Sequence, residues 1–319
     1  MINNIKTLGK FLDQPLLISK LDKSMPKIMA AGALVTLGKI KSDIYQKKDK
    51  SDNEKKKELL NKTLVLTGAV ISSLLAPKIA SKLTKRTPFE SYNKIVNNNI
   101  KIIDEYIKNN NPNKKTEELL KKAKEKILSF KEVKFLADNT NKNFINKLIP
   151  DPENIKARDI FKEIGYLSIY GAVAVIGGII GGIGADIVVG KDCKKTIPDK
   201  INEGLYQYLA NIFMCNIGAG TALGILEKLN INSKGKRAAA MTLGIMLTGV
   251  IGGSKIANLI SKKLIDPKQK ERKPELADLG LHTDDIATVS LLSGLKWIEP
   301  ALPILYSVSG YKSGIGYRN

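Results

Sequence analysis

The sequence predicts an all-α fold: a polytopic helical membrane bundle of four spans, up to six counting two shorter runs, with an extramembrane helical hairpin. Three observations carry this. Uncharged stretches long enough to cross a bilayer recur in the second half, they alternate with segments in which nearly every other residue is charged, and glycines recur four apart inside the apolar stretches. Such segregation suits a chain that meets two solvents, because an ionised side chain at the bilayer centre costs about 3 kcal/mol or more.

Residues 1–83 are expected to form an amphipathic N-terminal segment and a membrane hairpin. Ile5, Leu8, Phe11 and Leu12 recur at helical spacing with Lys6 and Lys10 between them, until Pro15 interrupts the pattern. A helix lying on a membrane surface or packing on its own protein fits this pattern, and its low apolar content argues against a span. The uncharged runs 28–38 and 63–77 are each shorter than the ~20 apolar residues that cross the hydrocarbon. Snorkelling of Lys27, Lys39 and Lys78 lengthens them into a two-helix hairpin, with burial in a soluble core as the other reading. The first apolar run begins near Ile28, so no cleaved signal peptide is expected.

Residues 84–162 change character. Charged residues and Asn dominate, and the apolar residues fall on helical faces: Ile95, Val96, Ile103 and Ile107 on one, Leu120, Ala123, Ile127 and Phe130 on the other. Asn109 to Asn113, with Pro112 among them, break the two, which predicts a lysine-rich polar αα-hairpin outside the membrane.

Residues 163–319 are expected to form a Gly-rich bundle. Run 165–190 carries Asp186 as its only charge and is long enough alone. Run 205–226 places Tyr206 and Tyr208 at an interface, and run 238–260 has Lys255 near its end. Run 286–309 has the length of a fourth span but contains Lys296, Glu299, Pro300 and Pro303, so it either crosses once or makes two short interfacial pieces. The pairs Gly178 and Gly182, Gly220 and Gly224, and Gly249 and Gly253 each lie on one helix face, the spacing of close helix packing.

Lys296 and Glu299, three apart, can pair on one face, and Pro300 and Pro303 would free carbonyls beside them. With Asp186 and Lys255 as accessory charges they form the candidate intramembrane polar site. Enzyme chemistry is not expected. His282 is the single histidine, Cys193 and Cys215 lie far apart, and no cluster has metal-ligand spacing, so neither metal nor cofactor is implied. Gly184 to Lys191 departs from a phosphate loop in spacing, and Asp192 follows the Lys where Ser or Thr is needed.

The net charge of +21 would favour anionic surfaces, but the lysine stretches lack interleaved aromatics, so a solvated face is expected first, anionic lipid headgroups second, and nucleic acid is not expected. The positive-inside rule discriminates weakly, since Lys191, Lys194, Lys195 and Lys200 face Lys228, Lys234, Lys236 and Arg237 across one span. Both termini and 84–162 are placed in the cytoplasm. Two functions remain open: a membrane scaffold or interaction protein that binds a partner or a second copy through 84–162, and a small-solute or ion transporter or channel using Lys296 and Glu299.

Overall fold

The computed structural model describes residues 2–84, 92–148, 157–268, 270–275, 278 and 299–316, and among these no strand occurs. The helices are α1 (Ile2–Leu12), α2 (Pro15–Tyr45), α3 (Asp52–Thr84), α4 (Tyr92–Asn110), α5 (Lys114–Glu125), α6 (Phe130–Asn139) and α7 (Lys142–Leu148). They continue as α8 (Ala157–Val188), α9 (Cys193–Tyr208), α10 (Met214–Lys228), α11 (Lys234–Gly244), α12 (Ser254–Ile260) and α13 (Leu302–Ile315). π-Helical turns Leu209–Phe213 and Ile245–Gly253 join α9 to α10 and α11 to α12, so each pair is one continuous rod. Another π-helical turn, Ser261–Ile265, ends α12.

The chain divides into two compact units. The first holds described residues within 2–25, 92–148 and 299–301, and the second those within 26–84, 157–278 and 302–316. In the first unit the amino-terminal residues 2–25 are grouped with the polar helices of 92–148.

In the first unit Ile103, Leu120, Leu128, Val133, Leu136, Phe144, Ile145 and Leu148 form the buried core, with Phe11 packed against it. Gln14 acts like a strand partner, its Nε2 donating to the Leu128 carbonyl at 3.0 Å and its Oε1 accepting from the Leu128 N–H at 2.8 Å. The expected αα-hairpin is elaborated into four short helices. The first break falls where Asn111 takes a positive φ of 42° and Asn113 Oδ1 caps α5 by accepting from the Thr116 N–H at 2.9 Å. A second break separates Leu120 and Ala123 on α5 from Phe130 on α6, because Ser129 and Glu132 form a capping box that starts a new helix.

Glu132 also receives Lys122 Nζ at 2.6 Å. That hydrogen bond, followed by the one from the Ser129 backbone, holds its carboxyl at about 2. A carboxylate depressed in the folded state stabilises fully above its unfolded value of ~4.3 and loses that contribution as pH falls toward the folded value. Acid titration of helicity should therefore show wild type losing its advantage over Glu132→Gln between about pH 4 and pH 2.

In the second unit four helices are long and apolar enough to cross a membrane: Asp52–Thr84, Ile164–Val188, Cys193–Lys228 and Gly235–Ile265. Along parts of two of them small side chains are turned inward and large ones outward. On α3, Ala69, Ser73, Ala76 and Ala80 are fully buried, while Ile71, Leu75, Ile79 and Leu83 form an exposed stripe. The same inversion recurs on α8, where Ala174 and Ala185 are buried and Ile176, Ile180 and Ile187 are exposed. Water would penalise such a surface, whereas lipid tails solvate it at no cost and leave small residues to bring the backbones together.

Three of these helices contain the expected runs 165–190 (to within two residues), 205–226 and 238–260. The run 63–77 proves to be part of a full-length helix, since Pro77 lies inside α3 and the helix continues to Thr84. A proline in a packed apolar helix loses one hydrogen bond without ending it when neighbours re-satisfy the freed groups. Of 286–309, residues 286–298 lie outside the described residues, and α13 alone, at 14 residues, is shorter than a span requires.

The glycines explain the closeness of the rods. A Cβ on Gly178 would collide with the carbonyl of Gly310, and one on Gly182 with that of Gly314, so α8 and α13 touch backbone to backbone. Gly253 approaches Ala210 in the same way, a Cβ there falling 2.7 Å from its Cα. Gly220 and Gly224 face side chains instead, with 3.5 Å to the Ala157 methyl at Gly224. Gly182→Val should accordingly lower the thermal stability of detergent-solubilised protein by about 1–3 kcal/mol, while Gly224→Ala should leave it nearly unchanged.

Candidate functional site

The α8–α9 turn sets the geometry of the site. Gly190 takes a φ of 75°, which an L side chain adopts only with strain, and Asp192 caps α9 by accepting from the Lys194 N–H at 3.1 Å. The chain reverses, so Lys200 on α9 comes opposite Asp186 on α8.

Asp186 is fully buried and saturated with donors. Its Oδ2 accepts from Thr196 Oγ1 at 2.6 Å and pairs with Lys200 Nζ at 3.0 Å, while Oδ1 accepts from Asn61 Nδ2 at 2.8 Å and lies 3.3 Å from Lys191 Nζ. Lys200, itself 1 % exposed, also donates to the Gly314 carbonyl at 2.6 Å. That carbonyl belongs to the last turn of α13, the negative end of its dipole. One ion pair thus ties α3, α8, α9 and α13 together at one end of the bundle.

A second cluster lies on α9. Glu203 and Arg272 are both nearly buried, with Arg272 Nε 3.1 Å from Glu203 Oε2. Arg272 also reaches Asp278, Nη1 to Oδ2 at 3.0 Å, and its guanidinium lies 4.4 Å from the centre of the Tyr206 ring. Asn258 clamps the backbone of Arg272 from both sides, donating to its carbonyl at 3.0 Å and accepting from its N–H at 2.9 Å. Lys312 closes the cluster from α13, 2.8 Å from Asp278 Oδ1.

Burial alone would raise the Asp278 carboxyl, but the Lys312 hydrogen bond, the Glu275 N–H and the charges of Lys312 and Arg272 outweigh it and hold the group below the usual aspartate range. Burial pulls the other way on Arg272, and Glu203 and Asp278 keep the guanidinium more firmly protonated than in water.

From Glu203 a row of polar side chains enters the apolar part of the rod. Gln207 Nε2 donates to Glu203 Oε1 at 2.7 Å, and Asn211 Nδ2 donates to Gln207 Oε1 at 2.9 Å. Each step is one helical turn, so the row extends about 12 Å. It ends at Asn211 Oδ1, which is buried without a hydrogen-bond partner among the described residues. Asn211 sits in the π-helical turn Leu209–Phe213, which packs on the π-helical turn Ile245–Gly253. Such turns are frequent at functional sites.

Of the sequence-predicted site residues, Asp186 lies at the centre of the first cluster. Lys255 is exposed on α12, Lys296 is outside the described residues, and Glu299 opens the 3-10 turn Glu299–Ala301 with its side chain outside them. Asp186 and Lys255 do not share a network among the described residues. Lys200, Glu203, Arg272, Asp278, Lys312 and Asn61 escaped the sequence reading. One signal was available: Glu203, Gln207 and Asn211 are four apart and carry polarity straight into the run 205–226. Comparison with protein-family models, with curated proteins and with solved structures yields no match for this chain.

Proposed function

We propose that the chain is an integral membrane protein that passes a small monovalent cation, the proton included, along the Glu203–Gln207–Asn211 row. The observation that carries this reading is the buried row of acceptors ending in the unsatisfied Asn211 Oδ1 inside an apolar rod. An unsatisfied buried acceptor costs about 1–3 kcal/mol, a cost that a fold tolerates where a water or an ion can visit. Intramembrane polar groups of this kind mark ion pathways. Arg272 is the competing charge: its guanidinium occupies the carboxylate that an entering cation would use.

The test is flux into proteoliposomes under imposed proton, sodium and potassium gradients, read with ion-sensitive dyes. Wild type should conduct at least one of these, and Glu203→Gln and Asn211→Leu should each lose most of that flux. Wild type indistinguishable from protein-free liposomes would sink the proposal.

A second reading, a membrane scaffold, draws support from the saturation of Asp186 and from the Gly–Gly backbone contacts, which fix the register of the rods. On that reading the polar helices of 92–148 bind a protein partner or a second copy, and no flux is expected.

A further inference from the structure

We propose that Glu203, Tyr206 and Asp278 form a binding site for a guanidinium cation, either the bare ion or a small alkylguanidinium, which the side chain of Arg272 fills when no ligand is bound. The site stands at the head of the polar row, so its ligand is the cation that the row admits first, a step that rests on the cation pathway above.

The ligand class follows from the shape of the walls. Around the rim of the guanidinium plane, Glu203 Oε2 accepts from Nε at 3.1 Å and Oε1 from Nη2 at 3.4 Å, while Asp278 Oδ2 lies 3.0 Å from Nη1 and Oδ1 accepts from Nη2 at 3.1 Å. Two carboxylates thus hold the fork along its edges, and the Tyr206 ring covers one face. Such an arrangement recognises a planar, forked cation. A metal ion is spherical and draws oxygens from all sides, which a ring on one face denies it. The site is also dry, with the side chains of Glu203, Asp278 and Arg272 only 4 %, 2 % and 5 % exposed. Guanidinium is more weakly hydrated than an ammonium, so burial there costs it less.

Arg272 reaches these walls from outside them. Glu203 and Tyr206 stand on α9, whereas Arg272 lies in the irregular stretch 270–275, beyond the π-helical turn that ends α12. Asn258 clips its backbone through two hydrogen bonds, and the nearby Pro274 has no N–H to add another. Asp278 is held separately by Lys312 of α13, so that wall stays when the strap shifts. A side chain on such a strap can withdraw, and a free cation of the same form can take its place.

Arg272 also leaves polar atoms on this part of α9 unsatisfied. Tyr206 Oη and both amide atoms of Asn202 are buried without a hydrogen-bond partner among the described residues. Asn202 and Tyr206 are four apart and share a helix face. A ligand with a polar tail beyond its guanidinium can meet these groups, which an arginine side chain cannot.

The experiment is chemical rescue in detergent. Arg272→Ala removes the resident cation, and guanidinium chloride at about 10 mM should raise the Tm of this variant by several degrees, as a ligand that binds only the folded state does. Equal concentrations of sodium chloride, or of urea, which has the shape without the charge, should not raise it. Neither wild type nor Arg272→Ala combined with Glu203→Gln should respond to guanidinium. No rise in Arg272→Ala, or one matched by sodium chloride, by urea or in wild type, overturns the proposal. If Arg272→Ala does not fold, Asn258→Ala decides, because it frees the strap and keeps every wall of the site. Asn258→Ala should bind radiolabelled guanidinium saturably in equilibrium dialysis, above wild type, and lose that binding when Glu203→Gln is added. Binding no greater than wild type overturns the proposal. Neither readout involves transport. Binding without flux therefore removes only the cation pathway, and flux of protons, sodium or potassium without guanidinium binding removes only the guanidinium site.

Discussion

Asp186→Ala is expected to destabilise the bundle by about 3–5 kcal/mol, because it takes the carboxylate counter-charge away from the buried Lys200 ammonium. The size of the effect comes from desolvation. Keeping one charge out of water costs several kcal/mol once its counter-charge is gone. For a unit of this size the loss corresponds to a drop of roughly 6–20 °C in Tm in detergent. The pair itself contributes much less than its disruption costs, so Asp186→Leu combined with Lys200→Met should recover most of the stability. Thermal unfolding of wild type, Asp186→Leu, Lys200→Met and the double variant closes the double-mutant cycle that measures this. Equal loss in the single and the double variants would mean that the pair fixes register through its hydrogen bonds to Asn61 and Thr196 and not through charge balance.

Arg272→Met has the second largest expected effect, in two readouts with opposite signs. Stability should fall by about 3–5 kcal/mol as Glu203 loses its buried counter-charge. Cation flux should rise, because the position of the guanidinium on Glu203 becomes open to an entering cation. Asp278 keeps Lys312, so the damage is centred on Glu203. Arg272→Lys should restore neither property fully, since an ammonium cannot span Glu203 and Asp278 as the planar guanidinium does. Acid should act in the same direction. The Asp278 carboxyl is lowered in the folded protein, so its support for Arg272 is present above the ordinary aspartate value of ~3.9 and is lost as pH falls through the lowered one. Stability measured from neutral pH down through that range should decline in wild type and less steeply in Asp278→Asn.

The spans were legible because hydropathy acts locally. Any uninterrupted run such as 165–190 or 205–226 has few ways to be stable outside hydrocarbon. The run 63–77 looked short because Lys62 and Lys78 bound it, whereas α3 continues past both, from Asp52 to Thr84. The Ser129–Glu132 capping box was readable from its spacing, and it overrode the helical periodicity that made Leu120 and Phe130 look like one face. Most of the polar site was not legible. Asp186 stood out as a lone charge, but its partner Asn61 is 125 residues away, and Arg272 reaches Glu203 across 69. Charges outside apolar runs resemble ordinary loop charges until the fold buries them. Glu203 and Arg272 were passed over for that reason, while Lys296 and Glu299 drew notice by lying within an apolar run.

The membrane placement of the second unit is tested most directly by photo-crosslinking along α3. A photoreactive side chain placed in turn at Leu75, Ile79, Ala76 and Ala80, in cells or in reconstituted bilayers, reports what each face touches. Positions 75 and 79, on the exposed stripe, should crosslink to lipid, and positions 76 and 80, fully buried, should crosslink within the protein. Absence of lipid adducts at 75 and 79, or lipid adducts confined to 76 and 80, would contradict a bundle that turns its large apolar side chains outward to the bilayer.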